Sequence, residues 1–182
     1  MNPPSSPKNG NLVLIGFMGV GKGTLARELV RQEPTLYALD TDDMIESLTN
    51  TRIKKIFATA GEAAFRALER KTAAWLASNV RHAVISTGGG FFQVENLSQI
   101  GTVVCLKADF EWIYRRIVEA PNAHKKLKKR PLFQDVDKAR ALFEARAEGY
   151  EKAAEIVVEM SSAPIETLAA DILAVYRRSN GR

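Results

Sequence analysis

Lys22 stands where a glycine-rich turn meets the start of a helix-forming stretch, a placement suited to holding phosphate. The apolar run Leu12-Val13-Leu14-Ile15 ends in Gly16-Phe17-Met18-Gly19-Val20-Gly21-Lys22-Gly23-Thr24, and the helix formers Leu25, Ala26, Arg27, Glu28 and Leu29 follow. Strand, glycine loop, lysine and helix in that order predict a P-loop. In such a loop the N–H groups of Gly19, Val20, Gly21, Lys22, Gly23 and Thr24, with the helix N-terminus, face one anion, and Lys22 reaches the outer phosphates. One residue departs from the pattern. The position after the lysine, where Ser or Thr would ligate Mg²⁺, is Gly23, which has no side chain to offer. Thr24 is expected to face the inner phosphates. Mg²⁺ is therefore expected to be held by nucleotide phosphates, waters and a nearby carboxylate, in a weakened site.

Other chemistry clusters where strands should end. Leu36-Tyr37-Ala38-Leu39 runs into Asp40-Thr41-Asp42-Asp43. A helix cap by Thr41 or Asp42 would account for one acid but not for three in four residues. Asp40 is assigned to the Mg²⁺ water shell. Asp42 is assigned to the hydroxyl that accepts phosphate, which a nearby base aligns and deprotonates late in the transfer. Ala83-Val84-Ile85-Ser86-Thr87 runs into Gly88-Gly89-Gly90, where a ligand could approach the backbone as a substrate wall. Arg146 falls on the same helical face as Ala139, Leu142, Phe143 and Tyr150, so its guanidinium needs an anion or a route to water. Arg66 stands four after Glu62, and a surface ion pair competes with any functional role there. About 119–135, with Lys125, Lys126, Lys128, Lys129 and Arg130, holds almost nothing to bury; it reads as a mobile basic lid over a triphosphate. It lacks the interleaved aromatics that stack single-stranded bases, which argues against nucleic acid. His82 and His124 have no metal-ligand spacing, and the one cysteine, Cys105, reads as a buried strand residue.

The elements that must position these groups alternate. Strands are predicted near 12–16, 36–39, 82–87, 102–107 and 155–159. Helices are predicted near 22–32, through about 50 and 59, then near 61–79, 94–99, 109–118, 136–152 and 164–178. Five short apolar strands with helices between them predict an α/β chain with a parallel sheet covered on both faces. Right-handed crossovers bring the strand carboxyl ends to one rim, beside the P-loop. Residues 1–10 read as a flexible tail and 11–182 as one domain. With 46% apolar and 26% charged residues and a net charge of +5, the composition is that of a soluble globule with a modest preference for acidic partners. No apolar run approaches membrane-spanning length, and a cytoplasmic monomer is expected.

The ordered motif series resembles the shikimate kinase family over about 12–176. The matching pieces are Gly16 to Lys22, Asp40-Thr41-Asp42, Ile56-Phe57 with Gly61-Glu62 and Phe65-Arg66, Gly88-Gly89-Gly90, Arg130-Pro131-Leu132, and Arg146 with Tyr150. The resemblance implies a three-layer P-loop kinase fold that uses ATP to phosphorylate the 3-hydroxyl of shikimate in aromatic amino-acid biosynthesis. It implies that Asp42 contacts the shikimate hydroxyls, that Arg66 and Arg146 hold its carboxylate, and that Gly89 lines the same pocket. It also implies that Arg130 meets the ATP phosphates and that Arg116 stacks on adenine. Competing readings are another small-molecule kinase on the same scaffold, a catalytically silent nucleotide-binding regulator suggested by Gly23, and, more remotely, an RNA-binding role.

Overall fold

The structure is a computed structural model and describes residues 9–121, 123–128 and 131–179. Leu12–Ile15 form β1, and all four residues are fully buried. That is the pattern of a strand covered on both faces. Glycine loop 16–21 leads from β1 into α1 (Lys22–Gln32). Then come β2 (Tyr37–Asp40), α2 (Thr41–Thr49), α3 (Ile53–Asn79) and β3 (Ala83–Ser86). A 3₁₀ turn (Phe91–Gln93) precedes α4 (Leu97–Ile100), β4 (Thr102–Lys107) and α5 (Phe110–Val118). The chain closes with α6 (Ala123–Lys128), a second 3₁₀ turn (Pro131–Gln134), α7 (Val136–Ala153), β5 (Ile156–Glu159) and α8 (Ile165–Ser179).

Among the described residues the strands form one parallel sheet in the order β2-β3-β1-β4-β5, as the alternating pattern predicts. β1 lies between β3 and β4, where successive strands switch from one side of it to the other. Open parallel sheets bind ligands at the carboxyl ends beside such a switch point, and the P-loop leaves β1 there. The core is largely aliphatic. Leu14, Ile15, Leu25, Leu29, Ile85, Ile100 and Ile113 are fully buried, and each contributes about 1.5–3 kcal/mol relative to exposure. Buried Asn11 ties the strand starts together: its amide donates to Val80 O (2.9 Å) and Ile100 O (2.8 Å), and its Oδ1 accepts from Ala83 N–H (3.0 Å).

Four local expectations need adjustment. The break expected between helices near residue 60 is a kink within α3 at Gly61, whose φ of 79° is non-helical. The short helix expected near 94–99 is displaced to Leu97–Ile100, because the chain first makes the turn that buries Phe91. Asn9 and Gly10, assigned to the tail, are tied down: Asn9 donates to Ala77 O (2.8 Å), and the Tyr176 hydroxyl donates to Gly10 O (2.9 Å). The stretch 119–135 does contain something to bury. Phe133 is 3% exposed and lies edge-on to Phe17 (centroids 6.2 Å apart), beside Phe110 (6.3 Å) and Tyr114 (6.4 Å). Phe17 belongs to the glycine loop, so this aromatic group joins that loop, α5 and the turn that ends the basic stretch.

Candidate active site

No side chain caps the N-terminus of α1, whose N-cap is Gly21. Without a capping side chain among the described residues, this helix start is in the condition that receives an anion. The loop passes under β4, and a Cβ on Gly16 (φ 134°) would stand 2.5 Å from Leu106 O. Lys22 is 8% exposed and its ammonium donates to Gly16 O (2.6 Å) and Phe17 O (3.0 Å), so the cation sits folded over the loop it would share with a phosphate. Thr24 is exposed one residue beyond Gly23.

The acids leaving β2 divide their work differently from the expected cap. Asp40 is the residue that caps α2, because it is the last extended residue (φ −124°, ψ 125°); its Oδ1 accepts from Asp42 N–H (2.9 Å) and Asp43 N–H (3.4 Å). Thr41 is fully buried, and its hydroxyl accepts the Gly88 N–H (3.0 Å), joining α2 to the glycine turn. Asp42 is thereby left free of capping. Its Oδ1 is buried with no hydrogen-bond partner among the described residues. Burial first, and then the neighbouring Asp40 charge, push its carboxyl up to about 7, against the opposing pull of Lys22.

Gly88-Gly89-Gly90 is where the predicted residues meet. A Cβ on Gly88 would fall 2.6 Å from Asp42 Oδ1, and one on Gly90 would collide with the Arg66 guanidinium. Gly89 O accepts from Arg146 Nη1 (3.1 Å) and from the Tyr150 hydroxyl (2.5 Å). Asp42 from α2, Arg66 from α3 and Arg146 from α7 thus each approach one glycine of a single turn after β3. The turn's lack of side chains is what gives them room. Met18 N of the P-loop would lie 3.8 Å from a Cβ on Gly89, so the glycine turn and the P-loop adjoin.

Arg66 makes the i,i+4 pair that competed with function, donating to Glu62 Oε1 from Nη2 (2.7 Å) and Nε (3.2 Å). It also makes a contact that spacing alone did not single out. Its Nη1 donates to Glu69 Oε2 (2.5 Å), and Glu69 is 1% exposed. Glu69 Oε1 is buried with no hydrogen-bond partner among the described residues, 3.5 Å from a Cβ on Gly88, and burial raises this carboxyl despite the guanidinium beside it. The available signal was an acid three residues after Arg66, on the side of it opposite Glu62. The ring of Phe65 lies under the same guanidinium (5.7 Å) and packs on Phe57 (4.7 Å).

Arg116 lies over Trp112 on α5, its guanidinium carbon 4.5 Å from the ring. The pair is a cation–π contact. Arg130 lies outside the described residues. Cys105 is buried and its thiol pushed up to about 11, chiefly by burial, which excludes a ready nucleophile. Among the described residues no group of three or more His, Cys, Asp or Glu gathers as a metal cage, and no helix is long and apolar enough to cross a membrane.

This geometry agrees with what the chain is similar to. A family model described as shikimate kinase matches residues 18–177. A shikimate kinase of Helicobacter hepaticus is 38% identical over 86% of this chain and 90% of its own. One of Caldanaerobacter subterraneus is 35% identical over 94% and 99%. Among solved structures, the shikimate kinase of Acinetobacter baumannii in complex with shikimate superposes with a TM-score of 0.78 at 31% identity, covering 94% of this chain and 95% of that one. That of Aquifex aeolicus gives 0.72 at 32%, covering 94% and 98%. A phosphate loop beside a glycine turn ringed by two carboxyl and two guanidinium groups, on a scaffold matched over nearly its whole length, places this chain in the shikimate kinase family.

Proposed function

We propose that the chain transfers the γ-phosphoryl of ATP to the 3-hydroxyl of shikimate by in-line displacement, with Asp42, Arg66 and Arg146 forming the acceptor site. The convergence of these three side chains on Gly88-Gly89-Gly90, next to the P-loop, carries the reading. Arg66 and Arg146 supply planar forks suited to the substrate carboxylate, each charge-assisted bond contributing about 1.5–3 kcal/mol. Asp42 Oδ1, a buried acceptor with no partner among the described residues, receives a substrate hydroxyl, orients it toward the P-loop and takes its proton late in the transfer. The P-loop amides and Lys22 hold the nucleotide's outer phosphates and offset the charge that develops on them. Arg116 on Trp112 carries the adenine, and Arg130 adds a phosphate contact. Gly88 and Gly90 admit Asp42 and Arg66, and Gly89 keeps the pocket floor open.

The residues available to Mg²⁺ are oxygen donors, which suits that ion, but they are few: Asp40 has one carboxylate oxygen committed to the α2 cap, and Gly23 offers no side chain. Asp40 would hold the ion through water, and Mg²⁺ would supply charge neutralisation to the nucleotide. We further assign the chain to the cytoplasm as a single-domain monomer that takes neither nucleic acid nor membrane as a partner. A coupled assay of ADP release tests the central reading. Turnover should require ATP, Mg²⁺ and shikimate together, and shikimate-independent ADP release at the same rate would overturn it.

A further inference from the structure

Position 23 leaves a notch at the head of α1, and the structure shows what borders it. A Cβ on Gly23 would stand 4.0 Å from Ser86 Oγ and 3.8 Å from Arg27 Nη1. The two neighbours differ. Arg27 is exposed on a flexible stem one helical turn along and can turn to water. Ser86 is 4% exposed and is the last residue of β3, held in register beside Leu14 of β1 and Asp40 of β2. Partners in register on adjacent parallel strands project to the same face of a sheet. The side chains of Ser86 and Asp40 therefore share the face that α1 covers, with the Gly23 notch next to them. Ser86 carries the one hydroxyl of a buried strand otherwise composed of Ala83, Val84 and Ile85.

We infer that Ser86 lends the nucleotide's divalent cation the hydroxyl that position 23 lacks, acting with Asp40 from the adjoining strand end. The inference rests on the nucleotide site proposed above. It makes Ser86 a cation-positioning residue, directly or through one water, and moves the usual hydroxyl donor from the helix to the sheet. An oxygen supplied from a neighbouring buried strand is rigidly placed, as a weakly held ion with several waters requires.

The test is calorimetric titration of ADP, once in EDTA and once in saturating Mg²⁺, on the full chain. Affinity in EDTA reads the nucleotide site alone, and the gain on adding Mg²⁺ reads the cation's ligands. Ser86→Ala should keep the EDTA affinity and lose about tenfold of the Mg²⁺-dependent gain, the scale of a lost supporting ligand. Adding Gly23→Ser to that variant should restore the gain, whereas adding Gly23→Ala, which brings a Cβ and no hydroxyl, should not. Ser86→Ala with the full gain intact would overturn the inference. So would an equal loss in EDTA and in Mg²⁺, which would mark Ser86 as structural. A wild-type chain that bound no ADP in EDTA would instead refute the nucleotide reading beneath it.

Discussion

Replacing Asp42 by asparagine tests the acceptor site through both stability and catalysis. The carboxyl is pushed from its ordinary value of 3.8 to about 7, first by burial and then by the neighbouring Asp40 and Glu69 charges, against the pull of Lys22. At about 1.4 kcal/mol per pH unit, this is on the order of 4 kcal/mol of preference for the protonated form, an upper bound for a partly solvated group. The native chain then holds a proton that the unfolded chain releases, so stability is fullest below pH 3.8 and falls as pH rises toward 7. Urea denaturation at half-unit pH intervals should show that decline in the substrate-free wild type, and Asp42→Asn should flatten its own share of it. Catalysis moves the opposite way, because only the carboxylate can take the hydroxyl proton. Wild-type kcat/KM for shikimate should rise through a limb near pH 7, and Asp42→Asn should lose roughly 10²–10⁴-fold together with that limb. An Asp42→Asn variant within about tenfold of wild type, or one that keeps both the stability slope and the rate limb, would refute the role given to this carboxyl.

Other perturbations separate the two halves of the site. Arg146→Ala should raise the shikimate KM by about 10- to 100-fold with ADP affinity unchanged, since its partner is Gly89 of the acceptor wall; a fall in ADP affinity instead would contradict that placement. Gly90→Ala should also raise the shikimate KM, because its Cβ displaces the Arg66 guanidinium, while a φ of −107° accepts alanine without backbone strain; an unchanged KM would show Arg66 to be free of the substrate. Arg116→Ala should weaken ADP binding without changing the shikimate KM, as read by calorimetry and steady-state kinetics. Phe133→Ala should destabilise the chain by about 3–5 kcal/mol in chemical denaturation, since it empties an aromatic site walled by Phe17, Phe110 and Tyr114; a loss below about 1 kcal/mol would mean the turn is not anchored there.

The phosphate loop, the strand and helix alternation and the three-glycine turn were legible in the residues, because each is encoded by spacing within a short stretch: an apolar run, a glycine, a helix former. Arg146 stood out for the same reason, as a cation on an apolar helical stripe. What only the tertiary structure decided lies between elements. Asp40 rather than Thr41 or Asp42 caps α2, since that depends on where the strand's extended backbone ends. Phe133 is buried because Phe17, far earlier in the chain, receives it, so a stretch that reads as polar is pinned at one end. Glu69 faces the site because α3 brings it to Gly88, and Ser86 faces Gly23 only because β3 pairs beside β1. Local propensity and periodicity are properties of neighbouring residues and can be read along a chain. Which side chain fills the space left by a particular glycine is a property of strand order and helix packing, and becomes visible only when those are assembled.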